Sequence, residues 1–537
     1  MLKRIVFLVL ACILVSGVLF AGGGGQARSG PQAIVQNPNF NRTGYPISKE
    51  KINVRSALLR VIDNHPRTLW QRIEEVTNIH VDFMGVDPQQ TATFMAAGDW
   101  PDFFHSNLNN SYINDHGILG NNLVDFRSVL EYMPNLQKCF VDYPVSRKAV
   151  TEIDGAIYQM PFIEIQVTAH GARFYYRSDN LRKYNLQVPN TIDELYNVLV
   201  ALRNATGYAH LNATADELEG YLYSSFGTSL EWDFDADPQG RVIYNRASEQ
   251  NRRFLRFLNR CYTEGLLHRE FLTLDNPTKL QMGKQGIVTY GQSACFDNLL
   301  LEDFPSGEFD IGVPKPFLSQ WNNATKIKAR LGDTRRAGGA INAKSKYILE
   351  IARMIDVGYA LEEVVPGTGL YGVAANYGPE GYSWRFTSPA KTEMSFFIPP
   401  QHPDVTSHSI MQWEWNVMLE NFCGRAEFGQ AITAEKTNNR ARQIGFRDNL
   451  MPNATKDFFP GNPGQWNFLK YTPEEQAQFD SKFTDIDSYV KQMRAQFITG
   501  VADLDRDWDR YARTINDMGI NDVIRIIQTA YDRWNRL

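Results

Sequence analysis

Helical and extended hydrophobic patterns alternate along most of the chain. Thr68 to Val76 reads as a helix and runs into IHVDFM (79–84), where apolar and polar positions alternate as in a strand. IYQMPF (157–162) and ARFYYRSD (172–179) also read as strands. In the VPNTIDELYNVLVAL that follows, Thr191 with Glu194 three residues on forms a capping box. It opens a helix whose apolar positions include Leu195, Val198 and Leu199. Arg252 to Tyr262 predicts another helix, stopped by Gly265. KQGIVTYGQSA (284–294) is an apolar strand entering a loop, and RAGGAINAKSK (336–346) is strand and turn before the helix YILEIARMIDVGYAL. The C-terminus is helical. Thr472, Pro473 and Glu475 open one helix, DIDSYVKQMRAQFITG continues to a stop at Gly500, and the last helix spaces Ile520, Val523, Ile527, Ala530 and Trp534 by threes and fours. Strands mixed with helices in this way predict α/β lobes with a helical C-terminal section.

One stretch sets the functional question. MAAGDWPDFFHSN (95–107) places Asp99 and Asp102 around a turn, then the apolar pair Phe103–Phe104, then His105, Ser106 and Asn107. The aspartates read as turn and cap residues and the phenylalanines as a short buried strand. The three polar residues leave the strand at its carboxyl end, where cleft-facing and structural roles are both open. Open α/β sheets bind ligands beyond the carboxyl ends of their strands.

A length of 537 residues exceeds one ordinary core, so two domains are the default expectation, with three as the alternative. A net charge of -5 gives no reason to expect nucleic acid or an anionic membrane as partner. The chain begins MLKRIVFLVLACILVSGVLFAGGGG. Lys3 and Arg4 precede an apolar run from Ile5 to Phe20, and Ala21 precedes the glycines, the pattern of an export signal cut after Ala21. The run is short of the about 20 residues that span a bilayer. VLAC (9–12) resembles a lipoprotein cleavage box, but Ile13 to Phe20 stays apolar beyond Cys12, which favours free export over a lipid anchor there. Residues 22–46 read as a loose leader. Cys139, Cys261, Cys295 and Cys423 are far apart, form no CxxC, and read as scattered buried thiols.

Four segments in order carry a resemblance. GYPISKEKINV (44–54), the opening stretch 95–107 with EEVTNIHVDF before it, FLRFLNRCYTEGLLHREF (254–271) and the C-terminal YVKQMRAQFITGVADLDRDWDRYARTINDMGINDVIRIIQTAYDRW resemble extracellular solute-binding protein family 1. More narrowly, they are similar to the large lipoprotein-type sugar binders of ABC importers. Asn78 stands where the family usually has glycine. The resemblance implies a two-lobed periplasmic binding protein fold, type II-like, with hinge crossings and a helical C-terminal section. It implies lobe 1 from 47–170 plus 337–400 and lobe 2 from 171–336 plus 401–537. It implies a monomer that binds a sugar or oligosaccharide in the cleft and delivers it to ABC transporter permease subunits, in a periplasmic or other extracytoplasmic location.

Sugar sites pair flat apolar faces with planar hydrogen-bonding groups. The stretches that combine both nominate Tyr176 and Arg177, read as lying where FYYRSD crosses between lobes, and Tyr290 and Gln292 just after a strand. They also nominate Trp232, Trp384, Trp413 and Trp415, with His105, Ser106 and Asn107 from the opening stretch; Arg336 is placed at the second crossing. Core packing is the bland alternative for each aromatic. No catalytic residue, metal ligand or cofactor is nominated. HExxH, GxSxG, P-loop and dinucleotide fingerprints are missing from the sequence. In some relatives an Asp/Asn-rich calcium loop follows the helix after Pro-x-Thr-x-Asp-Glu-Leu, but the equivalent stretch here, ALRNATGYAHLNATADELEG, lacks its alternating carboxylates. DFDADPQG (233–240) has aspartates at calcium-like spacing without the glycine and glutamate such a loop needs, and reads as a hairpin turn. Two other readings stay open: an exported polysaccharide-active enzyme, and a binding protein that signals to a membrane sensor.

Overall fold

The strand Ile52–Leu58 sits between two parallel neighbours, Ile79–Gly85 and Phe103–Phe104, and Ala340–Ile341 closes the far side antiparallel to Phe103–Phe104. This computed structural model describes residues 34 and 36–536, except 60–67, 107, 165–166, 169–173, 228–232, 238, 293–294, 296–310, 323–326, 329, 332–334, 337–338, 371, 373–379, 382–383, 387–392, 397–424, 427–428, 431–453 and 456–468. Along Ile52–Leu58 the burial alternates at first and then becomes continuous, as the sheet passes under Phe104, Trp100 and Met95. Asp102 holds the entry to Phe103: its carboxylate accepts from the Arg55 N–H (2.8 Å) and the Ser345 hydroxyl (2.7 Å). The turn reading of Asp102 holds. Asn78 takes φ 58°, a left-handed conformation that asparagine tolerates and most residues do not. That conformation explains how it replaces a glycine.

A second four-stranded sheet runs in the order Ile311–Gly312, Phe174–Arg177, Tyr290–Gln292, Leu211–Asn212. The helices Ile192–Thr206, Glu249–Thr263, Pro473–Thr499 and Ile520–Arg536 bury their apolar faces in the core beside it. Their ends follow the sequence: Thr191 with Glu194 and Thr472 with Glu475 form capping boxes, and Gly500 ends its helix in the left-handed region. Ile520, Val523, Ile527, Ala530 and Trp534 are all buried. The two C-terminal patterns before Gly500 prove to be one helix of 27 residues, because nothing in FDSKFTDID breaks it. The hairpin reading of 233–240 also holds: Phe234–Ala236 pairs antiparallel with Val242–Tyr244, and Asp237 accepts from the Gln239 and Arg241 N–H groups of the turn.

The chain passes between the two sheets in short paired segments. Pro161–Glu164 lies antiparallel to Arg335–Arg336 and parallel to Arg425–Ala426; Val167–Thr168 lies antiparallel to Arg330–Leu331; Ile327–Lys328 pairs with Ala454–Thr455. Arg336 is therefore in a crossing strand, as expected. ARFYYRSD is not. Phe174–Arg177 is an inner strand of the second sheet, and the outgoing crossing is the 161–168 segment before it. The open, mixed α/β sheets and these crossings make the fold that of the two-lobed solute-binding proteins. Cys139, Cys261 and Cys295 are buried; Cys423 and the segment 1–33 lie outside the described residues. Among the described residues no helix is long and apolar enough to cross a membrane.

Candidate functional site

Tyr176 lies across from Tyr290 on one side and Gly312 on the other, so the three occupy one row of the second sheet. Their rings set the local surface. Tyr176 and Tyr290 are 6.0 Å apart, Tyr290 is 6.2 Å from Phe174, and Phe174 stacks on Tyr221 at 4.7 Å. Gly312 is required by this row. A Cβ there would fall 2.4 Å from Cζ of Tyr176, so the tyrosine ring lies flat where a side chain would stand. Tyr176 is half-buried and Tyr290 is fully buried. Burial pushes the Tyr290 phenol well up, and its hydroxyl has no hydrogen-bond partner among the described residues. Tyr221 is anchored, donating to the Pro314 carbonyl at 2.7 Å. Of this aromatic group, Tyr176 presents surface and the other rings hold it in place.

Gln292 ends the Tyr290–Gln292 strand opposite Phe174. Arg177 follows Tyr176 but takes the other face of the strand, since successive side chains alternate. It is 3% exposed and its guanidinium grips Asp179, Nε to Oδ1 at 2.8 Å with a second short contact to Oδ2. Arg177, expected at the hinge and cleft, lies in an inner strand of the second sheet with its charge matched by Asp179. His105 is 4% exposed and meets Trp70 (5.4 Å), Phe83 (5.9 Å) and Phe103 (6.0 Å) with ring edges. Ser106 is also buried, and its hydroxyl accepts from the Leu59 N–H at 2.8 Å, extending the hydrogen bonding of the central strand by one residue. Both residues are therefore used by the lobe that carries them. Trp384 begins a strand that pairs with Glu393–Phe396, opposite Phe396. Asn107, Trp232, Trp413 and Trp415 lie outside the described residues.

The structure thus brings Tyr176, Tyr290 and Gln292 onto neighbouring strands and puts His105 and Ser106 in the other sheet. Phe174, Tyr221 and Gly312 complete the aromatic group and were not nominated by sequence. Phe174 had a signal in the alternation of FYYR; the other two come from segments distant in sequence. Among the described residues no group of three or more His, Cys, Asp or Glu side chains could hold a metal ion. In the stretch compared with a calcium loop, His210 bridges Thr206 (2.7 Å) and Thr289 (2.8 Å), and burial pushes its imidazole down to about 4. Glu217 there caps the helix Ala215–Leu222 through Thr214 and pairs with Lys279 at 2.6 Å.

Two open α/β sheets linked by paired crossings give the chain the fold of the two-lobed solute-binding proteins. No family model matches the chain. It is 20% identical over 547 residues to the fructooligosaccharide ABC transporter substrate-binding protein FusA of Streptococcus pneumoniae serotype 4 (strain ATCC BAA-334 / TIGR4), covering 95% of each chain. Among solved structures it is similar to the alginate-binding protein AlgQ2 without calcium ion, at 22% identity and a TM-score of 0.66, covering 91% of this chain and 100% of that one. It is also similar to the HMO binding ABC-transporter associated solute-binding protein from Bifidobacterium longum infantis ATCC 15697. That match has 16% identity and a TM-score of 0.67, and covers 90% and 99%. The resemblance to extracellular solute-binding protein family 1 read from four segments is borne out along nearly the whole chain.

Proposed function

We propose that this protein is the exported receptor of an ABC importer and binds a carbohydrate, an oligosaccharide in particular, between its lobes. The observation that carries the proposal is the near end-to-end likeness to a fructooligosaccharide substrate-binding protein, 95% of both chains. The half-buried Tyr176, laid against Gly312, supports it with a face suited to the C–H side of a pyranose or furanose ring. In this reading lobe 1 is 47–170 plus 337–400 and lobe 2 is 171–336 plus 401–537. The lobes close on the sugar without chemistry, and the monomeric complex docks on permease subunits. The signal is cut after Ala21, the mature chain works outside the cytoplasmic membrane, and Gln292, Trp384, Trp413 and Trp415 join Tyr176 in the cleft.

A thermal-shift screen of the mature chain from Gly22, against mono- and oligosaccharides, small peptides and calcium with a chelator control, tests this. A ligand at a hundredfold excess over its Kd stabilises the folded state by about 2.7 kcal/mol. A clear rise in Tm with one class of oligosaccharide supports the receptor. A rise only with a peptide or another class discards the carbohydrate. Release of shorter sugars from the bound one would replace the receptor with an enzyme.

A further inference from the structure

Three consecutive carbonyls, those of Leu469, Lys470 and Tyr471, are held by side chains from different parts of the fold. Leu469 is fully buried in the core of the second lobe and Tyr471 packs against that core. Yet Asn110 donates to the Leu469 carbonyl (3.5 Å) and Asn114 to the Tyr471 carbonyl (3.4 Å), both from the segment that carries Ile113 into the core of the first lobe. The Lys470 carbonyl accepts from Arg533 of the last helix, and Arg533 also pairs with Glu475 at 2.7 Å. The Lys470 side chain turns the other way and forms an ion pair with Glu152, whose neighbour Ala156 belongs to the first core. The two charged side chains are 6% and 5% exposed. Beside them the helix Pro144–Val150 sends Ala149 into the second core, and Lys148 Nζ lies 4.4 Å over the Trp534 ring.

We propose that Glu152 and Lys470 are the fixed pivot on which the two lobes turn, and that they set the balance between open and closed forms without touching the ligand. The inference rests on the receptor reading. The 161–168 and 327–336 crossings are short paired strands. The 469–471 strap is clamped from both lobes by a buried ion pair and by hydrogen bonds to its carbonyls. Separating the lobes there would part a buried ion pair and the carbonyl contacts beside it, and a buried pair is strongly destabilised when either partner is taken away. Motion is therefore confined to rotation about this point. Confining it enriches the closable form, and apparent affinity scales with the fraction of molecules in that form.

The test uses the mature chain with Glu152→Gln and, separately, Lys470→Met, each of which takes one partner from the buried pair, and Glu131→Gln at the exposed Arg42–Glu131 pair as control. Three quantities are read: hydrogen exchange of the 469–475 peptide, small-angle scattering with and without sugar, and affinity for the oligosaccharide that the native chain binds. The expected result is about tenfold faster exchange in 469–475, a larger ligand-free radius of gyration and about tenfold weaker binding in the pivot variants. The control should match the native chain. Native-like exchange and affinity in a folded pivot variant overturn the proposal. If neither pivot variant folds, Asn114→Ala removes one strap contact and no charge, and the same readouts decide. If the native chain binds no sugar, the receptor reading fails while exchange and scattering still decide the pivot.

Discussion

The two sheets end differently, although each is an open α/β sheet with three strands running one way. In the first, the residues that leave the Phe103–Phe104 strand are drawn inward: His105 lies among Trp70, Phe83 and Phe103, and Ser106 satisfies the Leu59 N–H. In the second, Tyr176 keeps part of its ring at the surface, set against a glycine and braced by Tyr290. The polar residues suggested a binding rim in the first sheet, yet the aromatic row of the second has the exposed face. The lesson concerns backbone needs. A strand end must satisfy its own N–H groups before its side chains are available to a ligand, and a small hydroxyl residue is well suited to that task.

The largest expected effect breaks the second sheet from behind. Asp179→Ala leaves Arg177 buried without its carboxylate and should cost about 3–5 kcal/mol in denaturant unfolding. If Arg177 faced sugar instead, the loss would fall on affinity. Gly312→Ala comes next, at about 1–3 kcal/mol, because a methyl there collides with the Tyr176 ring; sugar affinity should drop with it. Ser106→Ala should cost about 1–3 kcal/mol by stranding the Leu59 N–H and leave the affinity of the folded protein unchanged. A selective loss of affinity would return Ser106 to the binding site. Tyr290→Phe has the smallest effect, within about 1 kcal/mol and toward greater stability, since it removes a buried hydroxyl with no partner among the described residues.

Acid separates the regions as well. His210 is held neutral, its pKa down at about 4 against 6.5 when unfolded. Between those values the unfolded chain binds a proton that the folded chain refuses. Its contribution is complete above about pH 6.5 and declines as the pH falls toward 4, by about 3 kcal/mol in all. Unfolding followed by exchange of second-lobe peptides at pH 7, 5.5 and 4 should show this decline, and Thr289→Val, which removes a hydrogen-bond partner of the ring, should alter it. A pH-independent second lobe would refute the assignment.

Much of the helical framework was legible because caps are local. Thr191, Glu194, Thr472, Glu475 and Gly500 act within four residues of themselves, and the structure has each in the role its spacing implied. FYYRSD failed as a crossing because an inner strand and a hinge strand share the same apolar alternation; only partners distant in sequence, Tyr290 and Ile311, tell them apart. The fate of Arg177 followed from strand parity and from Asp179 two residues on, a pairing present in the sequence but outweighed by the search for planar donors. Gly312 was illegible. Its reason is a ring that arrives from residue 176.

The edge strand Ala340–Ile341 has a consequence in time. It completes the first sheet beside Phe103–Phe104, and the Gly339 and Asn342 N–H groups bond the carbonyls of Phe104 and Asp102. The whole stretch from 104 to 340 must be delivered before that edge is covered, and pairing between segments so distant in sequence is intrinsically slow. Through that interval the first half of the chain exists without its final hydrogen-bonding partner, and its folding has to wait for a segment that the second half delivers.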